Sequence, residues 1–135
     1  MDENVGIEKI RNLLRQYDIS PCEINAILKI ISTMSYSKVK VQGFPTDLGE
    51  YELAYHIVRE ADLLAAYEID RCIIYNMMKT GDNYVNSVGI AIKLFENRVL
   101  RHNVDNLFIT EYSKKKSVLL HKMAVKKIKS LMVHI

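Results

Sequence analysis

Ile57-Val58-Arg59-Glu60-Ala61-Asp62-Leu63-Leu64-Ala65-Ala66-Tyr67 is the stretch on which the reading of this chain turns. Its apolar residues recur at spacings of three and four, the signature of an amphipathic helix. At 100° per residue, Ala54, Ile57, Val58, Ala61, Leu64 and Ala65 fill one arc, which is expected to face the core. Asp62 falls at the margin of that arc, beside Tyr51 and Tyr55. A carboxylate at a core margin has to be ion-paired, hydrogen-bonded or metal-bound, because burying it bare is costly. Arg59, three residues earlier, and Arg71, on the next helix, are the expected ion-pair partners.

The same periodicity extends outward in both directions. Residues 5–17 place Ile7, Ile10, Leu13, Leu14 and Tyr17 on one helical stripe. Ser20-Pro21-Cys22-Glu23 is a helix start: Ser20 caps, Pro21 takes the first turn, and Glu23 closes a capping box. The helix it opens runs to about Met34, with Ile24, Ile27, Leu28 and Ile31 inward. Residues 35–49 read as a long loop with a short strand at 38–42. Asp47 and Glu50 form a second capping box for the helix that contains Asp62. Further helices are expected over 69–79, ending at the turn Thr80-Gly81-Asp82-Asn83, over 84–101, and from Ser113 to the end. The expected fold is all-α, five to six helices in a single domain over 1–135.

Composition narrows the classes. The 135 residues are 49% hydrophobic and 26% charged, enough apolar material for one core and too much for a disordered chain. No apolar run approaches the roughly 18–20 residues that span a bilayer, so no membrane role is expected. Met1-Asp2-Glu3-Asn4 lacks the basic-then-apolar pattern of a signal peptide. Cys22 and Cys72 make no disulfide framework. An intracellular, cytoplasmic protein is therefore expected. Ile, Asn, Lys and Tyr supply 46 residues, all with AT-rich codons, which points to an AT-rich genome such as that of a large DNA virus.

The formal charge of +3 is unevenly spread. Residues 112–135 hold seven lysines and no acid, whereas the rest of the chain sums to −4. On a helix, Lys115, Lys122, Lys126 and Lys129 fall within a ~60° stripe, opposite a core face of Leu120, Ala124, Ile128, Leu131 and Ile135. Such a stripe suits the phosphates of nucleic acid or another anionic partner; its plainer reading is a solvated helix face. His56, His102, His121 and His134 include no pair within four residues of each other, so each reads as a core-edge or solvated residue. Met77, Met78 and Met123 read as core filling. Nucleotide-loop, nucleophile-elbow, HExxH and CxxC patterns are absent.

Glu60-Ala61-Asp62-Leu63-Leu64 resembles the "DADRL" motif of the HD-domain superfamily of metal-dependent phosphohydrolases. In that family the motif lies on a helix and its second Asp completes an H…HD…D metal set. Asp62 stands at that position and Glu60 replaces the first Asp. Ser35-Tyr36-Ser37 is similar to an "SFS"-like stretch of bacterial members, and Phe95-Glu96-Asn97-Arg98-Val99-Leu100, Thr110 and the last helix are similar to the family's C-terminal helix pair. The likeness in helical order runs over nearly all 135 residues. The chain departs from the family in lacking the His-Asp doublet, with no histidine in residues 1–50, Thr33-Met34 where many members carry a His, Leu63 for the Arg and Glu68 for a Gly. The resemblance implies an N-terminally shortened HD-like helical bundle, ancestrally a hydrolase of nucleotides or other phosphate esters, in which Asp62 is a ligand of a divalent metal ion. It implies a phosphate-containing small molecule as ligand and weak or no turnover by this chain alone. Self-association or an upstream fragment is expected where the missing helices would pack. The alternative from another class is a non-catalytic helical binding module that uses Lys115, Lys122, Lys126 and Lys129.

Overall fold

The computed structural model describes residues 3–133. His134 and Ile135, read above as a frayed histidine and the end of a core face, lie outside them, as do Met1 and Asp2. The described residues form seven α-helices: α1 (Glu3–Leu14), α2 (Pro21–Thr33), α3 (Tyr36–Gln42), α4 (Glu52–Ala65), α5 (Ile69–Thr80), α6 (Tyr84–Asn97) and α7 (Glu111–Val133). Two 3₁₀ turns, Gly49–Tyr51 and Val99–Arg101, complete the set. The fold is all-α, with no strand among the described residues. The chain divides into two compact units, Met1–Arg59 and Glu60–Ile135, with the boundary inside α4.

In the first unit, Ser20 and Glu23 form the expected capping box of α2: the Glu23 N–H donates to Ser20 Oγ, and the Ser20 N–H donates to Glu23 Oε2 at 2.9 Å. Arg11 of α1 donates to Asn25 Oδ1 of α2 at 2.9 Å. Ile30, Leu48 and Tyr55 form one cluster of the core, with Met34 and Phe44 packed against it. Arg59 lies over the Phe44 ring at 4.7 Å and donates to His56 Nδ1 at 3.1 Å.

Three local expectations change here. Residues 36–42 are the helix α3, not a loop with a strand, because Ser35 Oγ accepts from the Lys38 N–H and caps it; Gly43 at φ +74° then ends it. Asp47 does not cap α4, since it is ion-paired with Lys29 of α2, and α4 instead starts out of the 3₁₀ turn at Gly49. The third change is the largest. The arc Ala54, Ile57, Val58, Ala61 and Ala65 faces solvent, Leu64 is half-buried, and α4 buries Tyr55, His56, Arg59, Glu60, Leu63 and, just past its end, Tyr67.

In the second unit, α5 and α6 are joined by a three-residue turn. Gly81 at φ +75° caps α5, and its N–H donates to Met77 O. Asn83 Oδ1 accepts from the Asn86 N–H and opens α6. Asn76 of α5 donates to Ser87 Oγ of α6 at 3.1 Å. Phe95, Val88, Ile73 and Leu63 are core residues of this unit. Met78 and Met123 do not fill the core: they are 83% and 58% exposed.

Glu60 fixes where α7 begins. Its carboxylate accepts from the Ile109 N–H, from the Thr110 hydroxyl, and from the Thr110 N–H at 3.2 and 3.3 Å. The Thr110 hydroxyl in turn accepts from the Ser113 N–H, so Thr110, not Ser113, caps α7. Burial works against ionisation of Glu60, but the bonds from Thr110, Ile109 and Ser113 outweigh it and hold the carboxyl below its usual range. Glu60→Gln should cost about 1–3 kcal/mol and Glu60→Ala more, because truncation leaves buried donors bare. The stability supplied by Glu60 is present above the unfolded carboxyl value near 4.5 and lost as pH falls through its lower folded value. Urea titrations of wild type and Glu60→Gln across the acid range check this: the gap between them should close at low pH.

Candidate functional site

Asp62 sits two residues beyond Glu60, about 200° away on the helix, and is exposed. It makes neither expected ion pair. Arg59 is held by His56 and Phe44, and Arg71 donates to Ala65 O, at the end of α4. Asp62 instead lines a cleft of about 590 Å³ within the second unit. Glu68, Arg71, Cys72, Arg98 and His102 share that cleft with Ile74, Tyr75, Met78, Leu94 and Phe95.

His102 lies fully buried at the floor of the cleft, against the rings of Tyr67 and Phe108 at 5.7 and 6.2 Å. Burial, reinforced by the positive charge of Arg98 and only partly offset by Asp105, pushes its imidazole down to about 4. It is therefore neutral near pH 7. Burial also pushes the Tyr67 hydroxyl up to about 12 and raises the Cys72 thiol, so neither is ionised at neutral pH. The charge of this cleft comes from Asp62, Glu68, Arg71 and Arg98.

Among the described residues, no group of three or more His, Cys, Asp or Glu side chains is placed to hold a metal ion. Divalent metals of this class need several nitrogen, sulfur or oxygen ligands around one point. The donor set around Asp62 does not fit one.

Lys115, Lys122, Lys126 and Lys129 are all exposed on α7. Their neighbours Lys114 and Lys127 are ion-paired, to Glu111 at 3.1 Å and Asp70 at 3.2 Å. Lys122 also lines a second cleft, of about 540 Å³, with Lys114, His121, Asn103 and Phe108. Asp62 and the four lysines are thus not brought to one place: Asp62 belongs to the first cleft and only Lys122 to the second.

The sequence did not single out Arg98 and His102 as site residues. Arg98 follows the last turn of α6, where its N–H donates to Leu94 O, and His102 is brought beneath the cleft by the 3₁₀ turn Val99–Arg101. No motif announces that turn. The available signal was the i,i+4 step from Leu94 to Arg98 and from Arg98 to His102. Comparison with protein-family models, curated proteins and solved structures gives no match.

His102 gives this site a pH signature. Its folded value near 4 lies below the unfolded value of 6.5, so the unfolded chain takes up the proton first as pH falls. Stability should therefore drop between about pH 6.5 and pH 4, by about 2 kcal/mol at pH 5 from this group. Denaturant midpoints at pH 7.5 and 5 measure the loss. An imidazole titration by NMR should show one histidine with a midpoint near 4.

Proposed function

We propose that this chain is a non-catalytic relative of the HD-domain phosphohydrolases that binds a phosphate-bearing small molecule in the Asp62 cleft. One observation carries the reading: Asp62, the residue at the family's metal-ligand position, opens onto a cleft that also holds two guanidinium groups, Arg71 and Arg98. Guanidinium forks match phosphate oxygens bidentately. Asp62 and Glu68 accept hydrogen bonds from hydroxyls of the same ligand. The all-helical fold and the position of Asp62 on α4 support the kinship. Activation of water would need a metal or a general base poised near neutral pH. Neutral His102 is buried, and Glu60 is committed to Thr110 and Ile109, which supports binding without turnover.

Titration of the purified chain with inorganic phosphate and nucleoside monophosphates, followed by amide shifts, tests this. Saturable binding is expected, weakened roughly tenfold or more by Arg98→Ala or Arg71→Ala. Phosphatase assays with Mg²⁺ or Mn²⁺ should give no turnover above buffer. Metal-dependent turnover abolished by Asp62→Ala would sink the non-catalytic reading.

A second reading has its own observation: Lys115, Lys122, Lys126 and Lys129 face solvent along about 21 Å of α7, with no acid on the helix after Glu111. That geometry suits the backbone of a nucleic acid. Binding to a duplex should then fall with salt at a log–log slope of about −3 to −4, for four phosphate contacts. Charge-reversed Lys122 and Lys126 should flatten the slope; salt-insensitive binding would remove this reading.

A further inference from the structure

The Asp62 cleft is polarised along its length. On α5, Arg71, Ile74, Tyr75 and Met78 share one face, so the lining runs from a guanidinium to a thioether over about 10 Å. On α6, Leu94 precedes Arg98 by one turn and lines the same cleft. The three-residue turn between Thr80 and Tyr84 makes α5 and α6 antiparallel. The C-terminal end of α6 therefore lies beside the N-terminal end of α5, and both guanidiniums gather at one end. Glu68, the residue before α5, belongs to that end too, and Asp62 of α4 lines the same cleft. The other end presents Ile74, Tyr75 and Met78, which are 57%, 63% and 83% exposed.

Exposed apolar side chains scattered singly need no explanation, but three clustered within little more than one turn of one helix inside a cleft do. A small, fully polar ligand would use the charged end and leave this wall wet. We infer that the ligand of the cleft is amphiphilic: an anionic head held between Arg71 and Arg98, and an apolar tail laid along the roughly 6 Å of helix that carries Ile74, Tyr75 and Met78. Met is suited to the distal position because its flexible, polarisable thioether adapts to an alkyl chain of no fixed shape. Asp62 and Glu68 then select heads that carry a hydrogen-bond donor beside the anion. This inference rests on the anion-binding reading of the same cleft and adds the nature of the ligand's other end.

The test uses the full chain and three probes: inorganic phosphate, n-hexyl phosphate and n-hexylammonium, titrated with amide shifts as the readout. Each methylene fully removed from water raises affinity about fourfold, so hexyl phosphate should bind at least tenfold more tightly than inorganic phosphate even in an open cleft. Met78→Ser and Ile74→Ser, both neutral changes at exposed positions, should remove most of that gain and leave the affinity for inorganic phosphate unchanged. Equal affinity for phosphate and hexyl phosphate would overturn the amphiphile and leave the anion site standing. Full retention of the gain in both variants would overturn the placement of the tail. Hexylammonium binding as tightly as hexyl phosphate would overturn the anionic head. Binding of none of the three at millimolar concentration would overturn the anion site itself, and the amphiphile with it.

Discussion

A single carboxylate, that of Glu60, organises the second unit. Buried on α4, it takes hydrogen bonds from two backbone N–H groups and one hydroxyl of residues 109–110. Those donors lie at the start of α7, the longest helix, where the summed peptide dipoles favour negative charge. Glu60 therefore does from another helix what a capping side chain does from within. The cost of desolvating the carboxylate is met by directional bonds that only one backbone path of 109–110 can supply. That path sets the origin of α7 and so the positions of Ser113 and Ser117, whose small buried side chains let α7 approach its neighbours. The Ser117 hydroxyl, donating to Asn103 Oδ1 at 2.8 Å, ties the next turn to the loop after the 3₁₀ turn Val99–Arg101.

The inward turn of Glu60 also decides which face of α4 is buried, and the sequence misleads there. Two stripes of similar width run along this helix. One is built of Ala, Ile and Val; the other of Tyr55, Arg59, Leu63 and, past the helix end, Tyr67. Periodicity favours the first because it counts apolar residues. Area favours the second, since alanine side chains offer little surface, while Tyr, Leu and the stem of Arg offer much. Arg59 is drawn in by the Phe44 ring and His56, and Glu60 by Thr110, so both charged residues are partnered in ways that no local pattern announces. Elements whose signals are local were legible: the Ser20–Glu23 box, Pro21 in the first turn, Gly81 after α5, and most helix spans. The miss at α3 has the same origin in reverse, since Ser35 is a good cap but Val39 and Val41 suggested a strand.

Glu60 and Asp62 show how a two-residue spacing divides labour on a helix. Positions two apart point to nearly opposite sides. With Glu60 locked inward, Asp62 must face outward, so the α4 carboxylates cannot converge on one reacting atom as paired acid–base groups do. The use of Glu60 as a tether is announced by no local pattern, because its donors lie 49 and 50 residues further along the chain. Glu has one more methylene than Asp. That extra reach lets the carboxylate meet the backbone of residues 109 and 110 while α4 keeps its own path.

Charge is divided between the two units in a way that bears on ligands. From the sequence, residues 60–135 carry a formal +4 and residues 1–59 a formal −1. Within the second unit, Lys114 and Lys127 are neutralised by Glu111 and Asp70, whereas Lys115, Lys122, Lys126 and Lys129 stand in solvent. At physiological ionic strength a charge is felt over about 8 Å, so these lysines raise the local concentration of anions around the unit without choosing among them. Selection would have to come from a concave surface with fixed donors, the role proposed for Arg71 and Arg98 in the first cleft. In that cleft two acids balance two bases, so net charge gives no preference there, and recognition rests on the order of groups along the groove. On the proposed reading, guanidiniums at one end and a thioether at the other would discriminate by where a ligand's charge sits relative to its apolar part, a criterion that a simple phosphate ion cannot meet in full.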